Sequence, residues 1–297
     1  GLPAENVTVT IDGEVAGTTD AEGKLFTASF VGAACTKTVA AYSDKGYSYG
    51  QRISGVLAGG SVDEFGAPSA VPAYLRSVAT VNGDTEQRLV WLSNPLAAKN
   101  AAIIKFATAA DYAENGESAF VEYSGESLLM EFTGTYAVYI NQVLVKGLKS
   151  DTDYVYVAGD GVVWSEVHNF STTKKNGTTN FIVMGDTQAD DSDVFKAYGN
   201  AITSSGINYD FAIQTGDFVD TGSDYVLWSD ILSIFSQYFA DIDFVQVFGN
   251  HEYEGNEDGR YPEAMNFVPG EKYYSVTYGN VYVAVINCYT VSDMNEA

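Results

Sequence analysis

Three apolar, strand-like runs in the sequence each end in residues that can bind a metal ion. They begin at Phe181, Phe211 and Phe244 and end in the words GDTQ, TGDFVD and GNHE. Short apolar runs bounded by glycine and separated by helical patterns are typical of parallel strands in βαβ units. Ligands bind beyond the carboxyl ends of such strands. The sequence therefore predicts that hard oxygen donors and one imidazole converge at one sheet edge: Asp186, Gln188, Asp217, Asp220, Asn250 and His251.

Two helical patterns connect these runs. Apolar residues recur at helical spacing over 194–202, where Gly206 ends the pattern, and again over 228–239, where Ser223 is placed to cap the helix. Each helix would cross back over the sheet in a right-handed βαβ connection. Farther along the chain, two strand-like runs that meet at 279–280 predict a pair of adjacent strands.

Composition and charge restrict the classes of partner. The chain has 297 residues, 46% of them hydrophobic, which predicts two or three globular domains. Its 39 acidic and 15 basic residues give a net charge of −24, which repels nucleic acid polymers and anionic lipid. No apolar run approaches the roughly 20 residues of a membrane span, and the N-terminus lacks the form of a signal peptide.

Cysteine usage and composition bear on the cellular compartment. Cys35 and Cys288 fall in different predicted domains, so we expect free buried thiols rather than a disulfide. The chain is rich in Tyr, Thr, Gly and Asp, a composition typical of exported β modules. We therefore expect a secreted or cell-surface protein.

The first 174 residues are predicted to be all-β. Alternating strands and turns over 1–70 resemble the immunoglobulin-like surface repeats of exported bacterial proteins, and a Gly, Ser, Ala and Pro-rich segment over 57–72 suits a linker. Several further strands over 71–174 fit a second β-sandwich. The run VLVKGLKSDTDYVYVAGDGVVWSEVHNFSTT resembles the fibronectin type III-like domain that precedes the catalytic domain of purple acid phosphatases. That resemblance implies that the Tyr154 hydroxyl satisfies backbone groups at a sandwich corner near Leu148.

The three motifs, in order D-x-Q, G-D-x-x-D and G-N-H-E, resemble those of the calcineurin-like metallophosphoesterase superfamily, to which purple acid phosphatases belong. Three such motifs at three strand ends are far more specific than any one of them. Together with the resemblances of the first 174 residues, this one implies two all-β immunoglobulin/fibronectin-like sandwiches followed by the N-terminal half of an α/β (αββα) metallophosphoesterase domain over 178–297. It also implies a phosphatase or phosphodiesterase that hydrolyses phosphate esters with two metal ions.

Matching the motifs residue by residue gives each position an implied role. Asp186 would bind the first metal, Asp217 would bridge both ions and the Asn250 amide oxygen would bind the second. His251 would lie beside the substrate phosphate and assist the leaving group, while a metal-bridging hydroxide attacks phosphorus. The Gln188 amide oxygen stands where many members have histidine, and it would be a weaker ligand or contact a bound water.

Two further departures from the family pattern bear on the metal centre. Purple acid phosphatases carry a metal-binding tyrosine where this chain has Asp220, so Mn, Zn or ferrous iron is favoured over a ferric pair. We expect Asp220 to order its loop rather than to bind metal. The family also completes its site with V-x-x-H and G-H-x-H motifs, whereas this chain has only His168 and His251. His168 is expected in a strand of the second sandwich, without a functional role.

The missing motifs leave alternatives open. We expect the catalytic domain to be C-terminally incomplete, with weak metal binding by these residues alone. The alternative is a surface binding or adhesion protein whose phosphoesterase domain is degenerate, and a nucleotidase is a third interpretation. Glu252, the last residue of the third motif, could orient His251 from beside the site.

Overall fold

The structure is a computed structural model that describes twelve segments of the chain. They are residues 6–11, 14–21, 25, 35–42, 48–56, 71–95, 98–132, 137–174, 177–188, 193–239, 241–255 and 273–286. Most of the predicted linker and Cys288 lie outside the described residues. Among the helices that the structure describes, none is both long and apolar enough to cross a membrane.

The N-terminal strands form an antiparallel sheet. Its strands are β1 (Thr8–Ile11), β2 (Glu14–Thr18), β3 (Cys35–Tyr42) and β4 (Ser48–Val56), in the order β2-β1-β3-β4. The described part of residues 6–56 forms this one sheet, so the immunoglobulin-like sandwich predicted for 1–70 stays a prediction.

The described residues between 73 and 171 form eight strands. They are β5 (Ala73–Val78), β6 (Glu86–Ser93), β7 (Ile103–Thr108), β8 (Val121–Ser124), β9 (Glu126–Glu131), β10 (Ala137–Lys146), β11 (Asp153–Gly159) and β12 (His168–Ser171). Helix α1 (Ala109–Asn115) and a 3₁₀ turn (Gly116–Ala119) connect β7 to β8. His168 begins β12, as expected.

These strands belong to two sheets with a common core. One has the order β12-β11-β7-β8, and the other contains β5, β6, β10 and β9 as neighbours. Buried side chains from both sheets, among them Trp91, Ile104 and Tyr156, form one apolar cluster between them. The Tyr154 hydroxyl accepts a hydrogen bond from the Lys149 backbone N–H at 2.8 Å, which confirms the predicted corner contact.

The C-terminal part has the predicted parallel strands and helices. In chain order they are β13 (Phe181–Met184), α2 (Asp193–Ser204), β14 (Phe211–Gln214), α3 (Tyr225–Tyr238) and β15 (Asp243–Gln246). A 3₁₀ turn (His251–Tyr253) precedes the antiparallel hairpin of β16 (Tyr274–Tyr278) and β17 (Val281–Val285). Phe181 pairs with Phe211, and Phe211 with Asp243, so the three strands end level with one another.

One feature was not predicted from sequence patterns: the parallel strands continue the sheet of the β-rich region. The seven-stranded order is β13-β14-β15-β5-β6-β10-β9, and the junction pairs Phe244 with Val78 in parallel. One apolar core therefore combines side chains from β5, β6 and β10 with the buried face of α3, including Val90, Ile140 and Trp228. The two parts of the chain share this core.

A buried carboxylate lies at the same junction. Asp243, at the start of β15, accepts hydrogen bonds from the Ser77 hydroxyl, from Gln87 Nε2 at 2.8 Å and from the Tyr278 hydroxyl. Burial raises the pKa of Asp243 to about 6, while the hydrogen bonds from Ser77 and Gln87 oppose the rise. This network joins β5 and β6 to the C-terminal hairpin at the end of β15 opposite the third motif.

Candidate metal centre

Two of the predicted ligands sit on backbone that few residues adopt. Asp186 has φ +52° and Asp217 has φ +56°, both in the left-handed region, which aspartate tolerates better than most side chains. The Asp186 N–H donates to the Gly216 carbonyl at 3.1 Å, and the Thr187 N–H donates to the Asp217 carbonyl at 2.9 Å. These bonds hold the first and second motif loops side by side. Such conformations persist where the surroundings enforce them, often at functional sites.

The third motif loop packs directly on the second. A Cβ atom at Gly249 would overlap Asp217 Oδ1 and the Asp217 backbone nitrogen, so the approach requires glycine. The His251 N–H donates to Asp217 Oδ1 at 3.1 Å, and the Gly222 N–H donates to the His251 carbonyl at 3.0 Å. The structure thus brings Asp217 and the His251 backbone together, as the motif order predicted.

The fourth residue of GNHE lies beside the site, as the sequence analysis allowed, but it contacts the Asp217 loop rather than the His251 ring. Glu252 is fully buried, and its carboxylate accepts hydrogen bonds from backbone N–H groups of the second and third motif loops. Burial raises the pKa of Glu252, and these backbone donors oppose the rise. The sequence did not indicate these backbone contacts; its one signal was a carboxylate at the end of the GNHE motif.

The His251 ring is held through one nitrogen. Nδ1 lies 2.7 Å from the Asp220 carbonyl, so it carries a proton there, and the Asp220 and Glu254 carboxylates lie 3.4 and 3.6 Å from the same atom. The bond to the Asp220 carbonyl, together with the negative charges of Asp217, Glu254 and Asp220, raises the pKa of His251 against partial burial. The contact with the Asp220 carbonyl therefore does not use Nε2, the second ring nitrogen. Asp220 contacts the His251 ring through its carbonyl, and its role in ordering the loop stays a prediction.

The donor set fits a hard cation. Gln188 Oε1 is buried and accepts no hydrogen bond from any described residue, so its acceptor capacity is unused. Asp186 and Asn250 are exposed, and Asp217 Oδ1 is already engaged by the His251 N–H. Carboxylate and amide oxygens suit Mg²⁺, Mn²⁺ and similar ions. Within the described segments, no three His, Cys, Asp or Glu side chains are grouped closely enough to hold a metal ion, so the amides would be needed as ligands.

Comparison with known proteins follows the same division of the chain. Residues 75–172 match the model of the purple acid phosphatase N-terminal domain, and residues 179–295 match that of the calcineurin-like phosphoesterases. The predicted resemblance is confirmed. The chain therefore carries a β-rich domain followed by a metallophosphoesterase domain. No curated protein matches the chain in a sequence comparison.

A solved structure shows a similar fold. A purple acid phosphatase from seeds of yellow lupin (Lupinus luteus) superposes with a TM-score of 0.60 at 14% identity, covering 95% of this chain. The chain spans 61% of the length of that enzyme. A structure of PhoD superposes with a TM-score of 0.49 at 15% identity. The match covers 74% of this chain and 52% of the PhoD chain.

Proposed function

We propose that the protein is a metal-dependent phosphatase or phosphodiesterase that hydrolyses phosphate esters at the edge formed by the three motif loops. The observation that carries the proposal is the contact between the Asp186 and Asp217 loops and the loop of Asn250 and His251. Asp186, Gln188 and Asp217 would hold one ion, and Asp217 with Asn250 would supply ligands to a second. Bound there, Mn, Zn or Fe ions would supply Lewis-acid charge that polarises a phosphoryl oxygen.

The residues of the chain position the reacting groups. Asp217 Oδ1 accepts a hydrogen bond from the His251 N–H, and the other carboxylate oxygen would bind metal. The His251 ring, fixed by its Nδ1–H bond to the Asp220 carbonyl, offers Nε2 to the substrate. From Nε2 it can donate a hydrogen bond or a proton to the leaving oxygen, a role worth about 100-fold or more in rate for a positioned acid.

We further propose a substrate class, a location and domain boundaries for the protein. The net charge of −24 disfavours polyanionic substrates and favours small phosphate esters over nucleic acid polymers. Secretion or display at the cell surface is proposed from composition and from the resemblance of residues 1–70 to surface repeats. Domain boundaries near residues 70 and 174–178 are proposed from the sequence pattern.

A test of the function uses the complete gene product that carries this sequence. After dialysis against EDTA it is expected to lose hydrolysis of 4-nitrophenyl phosphate, because the active site needs the Lewis acid, and to regain it with Mn²⁺ or Zn²⁺ but not with Na⁺. The assay measures release of 4-nitrophenolate under matched ionic strength. Turnover that persists unchanged in EDTA would contradict the proposal.

The alternative is a surface binding protein with a degenerate phosphoesterase domain. It is kept because the described residues bring together too few carboxylate and imidazole groups for a metal site without amide ligands. The EDTA experiment separates the two, since a binding protein would show no turnover with any added metal.

A further inference from the structure

We infer that Glu252 is a positioning residue. Its carboxylate accepts hydrogen bonds from backbone N–H groups of the Asp217 loop and so holds that loop in the conformation needed to bind metal. The inference rests on the proposed metal-dependent function and extends it to a residue outside the predicted ligand set. The Glu252 side chain extends from the third motif loop to the second and is fully buried, so it is shielded from solvent.

The Glu252 carboxylate collects four backbone donors. Oε1 accepts from the Phe218 N–H at 2.5 Å and from the Val219 N–H at 3.2 Å. Oε2 accepts from the Asp217 N–H at 3.0 Å and from the Gly249 N–H at 2.6 Å. Three of these donors belong to successive residues that start with the proposed bridging aspartate. One side chain therefore sets the path of the backbone on which the Asp217 carboxylate is mounted.

The contact between the two loops is reciprocal. Glu252 reaches from the third motif to the backbone of the second, and Asp217 reaches from the second motif to the His251 N–H of the third. The two loops approach so closely at Gly249 that an added Cβ atom would overlap Asp217. Each loop fixes the other, and the left-handed backbone of Asp217 is enclosed between them.

The four donors require a carboxylate rather than an amide. A carboxylate has two acceptor oxygens, whereas a glutamine has one oxygen and an NH₂ group. In either orientation, Glu252→Gln would turn that NH₂ toward two backbone N–H groups and leave them buried without acceptors. The variant keeps the shape of the side chain and breaks half of its hydrogen bonds, so it isolates the positioning role.

Binding of Mn²⁺ tests this role without measuring turnover. The loss of the free-ion EPR signal gives the affinity of wild-type protein and of Glu252→Gln, at a temperature where both are folded. We expect Glu252→Gln to bind Mn²⁺ about 10- to 100-fold more weakly, the usual effect of losing a group that orients metal ligands. The matched control is Asp243→Asn, which alters another buried, hydrogen-bonded carboxylate at the opposite end of β15. It should alter stability and leave the Mn²⁺ affinity unchanged.

The outcomes separate this inference from the function on which it rests. Wild-type protein that binds no Mn²⁺ overturns both. Wild-type binding with an equal affinity for Glu252→Gln overturns the positioning role alone, as does an equal loss in Asp243→Asn. If Glu252→Gln does not fold, Glu252→Asp replaces it: the carboxylate is kept but withdrawn by one methylene, and a folded Glu252→Asp protein with wild-type affinity also overturns the inference.

Discussion

Asp217→Asn is expected to lower hydrolysis of phosphate esters by the complete gene product by at least about 100-fold. Replacing a residue that only orients a metal ligand already costs about 10- to 100-fold, and Asp217 is proposed to bind metal directly. The amide introduced by this substitution would keep its oxygen on the His251 N–H, which lies 3.1 Å from Asp217 Oδ1 in the wild-type chain. Its NH₂ group would replace the carboxylate oxygen that is proposed to face metal, which removes both a ligand and a negative charge. Asparagine also tolerates left-handed backbone, so the loop at φ +56° should keep its fold.

The measurement is kcat/KM for 4-nitrophenyl phosphate at saturating Mn²⁺, with thermal unfolding of the same samples. Asp210→Asn is the control, because Asp210 immediately precedes the same strand, β14, and its carboxylate accepts from the Asn180 N–H at 2.7 Å. It should change kcat/KM by no more than a few-fold. Activity of Asp217→Asn within ten-fold of wild type would remove Asp217 from the site.

The second large effect concerns the shared core. Trp228→Ala is expected to lower the free energy of unfolding by about 3–5 kcal/mol, the range for truncating a large buried aromatic residue. Trp228 is fully buried, its Nε1–H donates to the Gly222 carbonyl at 2.9 Å and its ring centre lies 6.1 Å from that of Phe218. The substitution would leave a cavity against the β-rich domain. It would also remove the hydrogen-bond donor of the Gly222 carbonyl.

Fluorescence can show which domain loses stability. The chain has three tryptophans, so Trp228→Ala leaves Trp91 and Trp164, both in the β-rich domain. Because Trp228 packs in a core that includes Val90 and Ile140 of that domain, the urea midpoint from their fluorescence should fall together with that from far-UV circular dichroism. Tyr282→Ala, at a side chain that is 68% exposed, should stay within about 0.5 kcal/mol of wild type. A fluorescence midpoint unchanged in Trp228→Ala would contradict the shared core.

Local sequence patterns predicted the parts of this fold that depend on neighbouring residues. The alternation and periodicity of the C-terminal part predicted β13, β14 and β15, the helices α2 and α3, and the hairpin at 279–280. The loops that carry Asp186, Asp217 and His251 follow from the same patterns, because parallel strands that end level bring their following residues together.

The features that sequence reasoning missed depend on residues far apart in the chain. Phe244 pairs with Val78, although more than half of the chain length separates them in sequence. No local sequence period specifies which strand will pair with the edge of a sheet. The role of Glu252 was missed for a related reason. Its four partners are backbone N–H groups, which every sequence has, and their convergence is set by the φ of Asp217 and the close approach at Gly249.

The central claim is that the three motif loops form a metal site, and the location of Mn²⁺ on the chain tests it most directly. Paramagnetic broadening of assigned amide signals in ¹⁵N-labelled protein detects even weak binding. The account predicts that signals of residues 185–188, 215–219 and 249–252 broaden first, while those around Asp151 and Asp153, two exposed carboxylates of the β-rich domain, stay sharp. With a net charge of −24, a protein without such a site would collect Mn²⁺ diffusely. Broadening spread evenly over the acidic surface, or centred away from these loops, would contradict the claim.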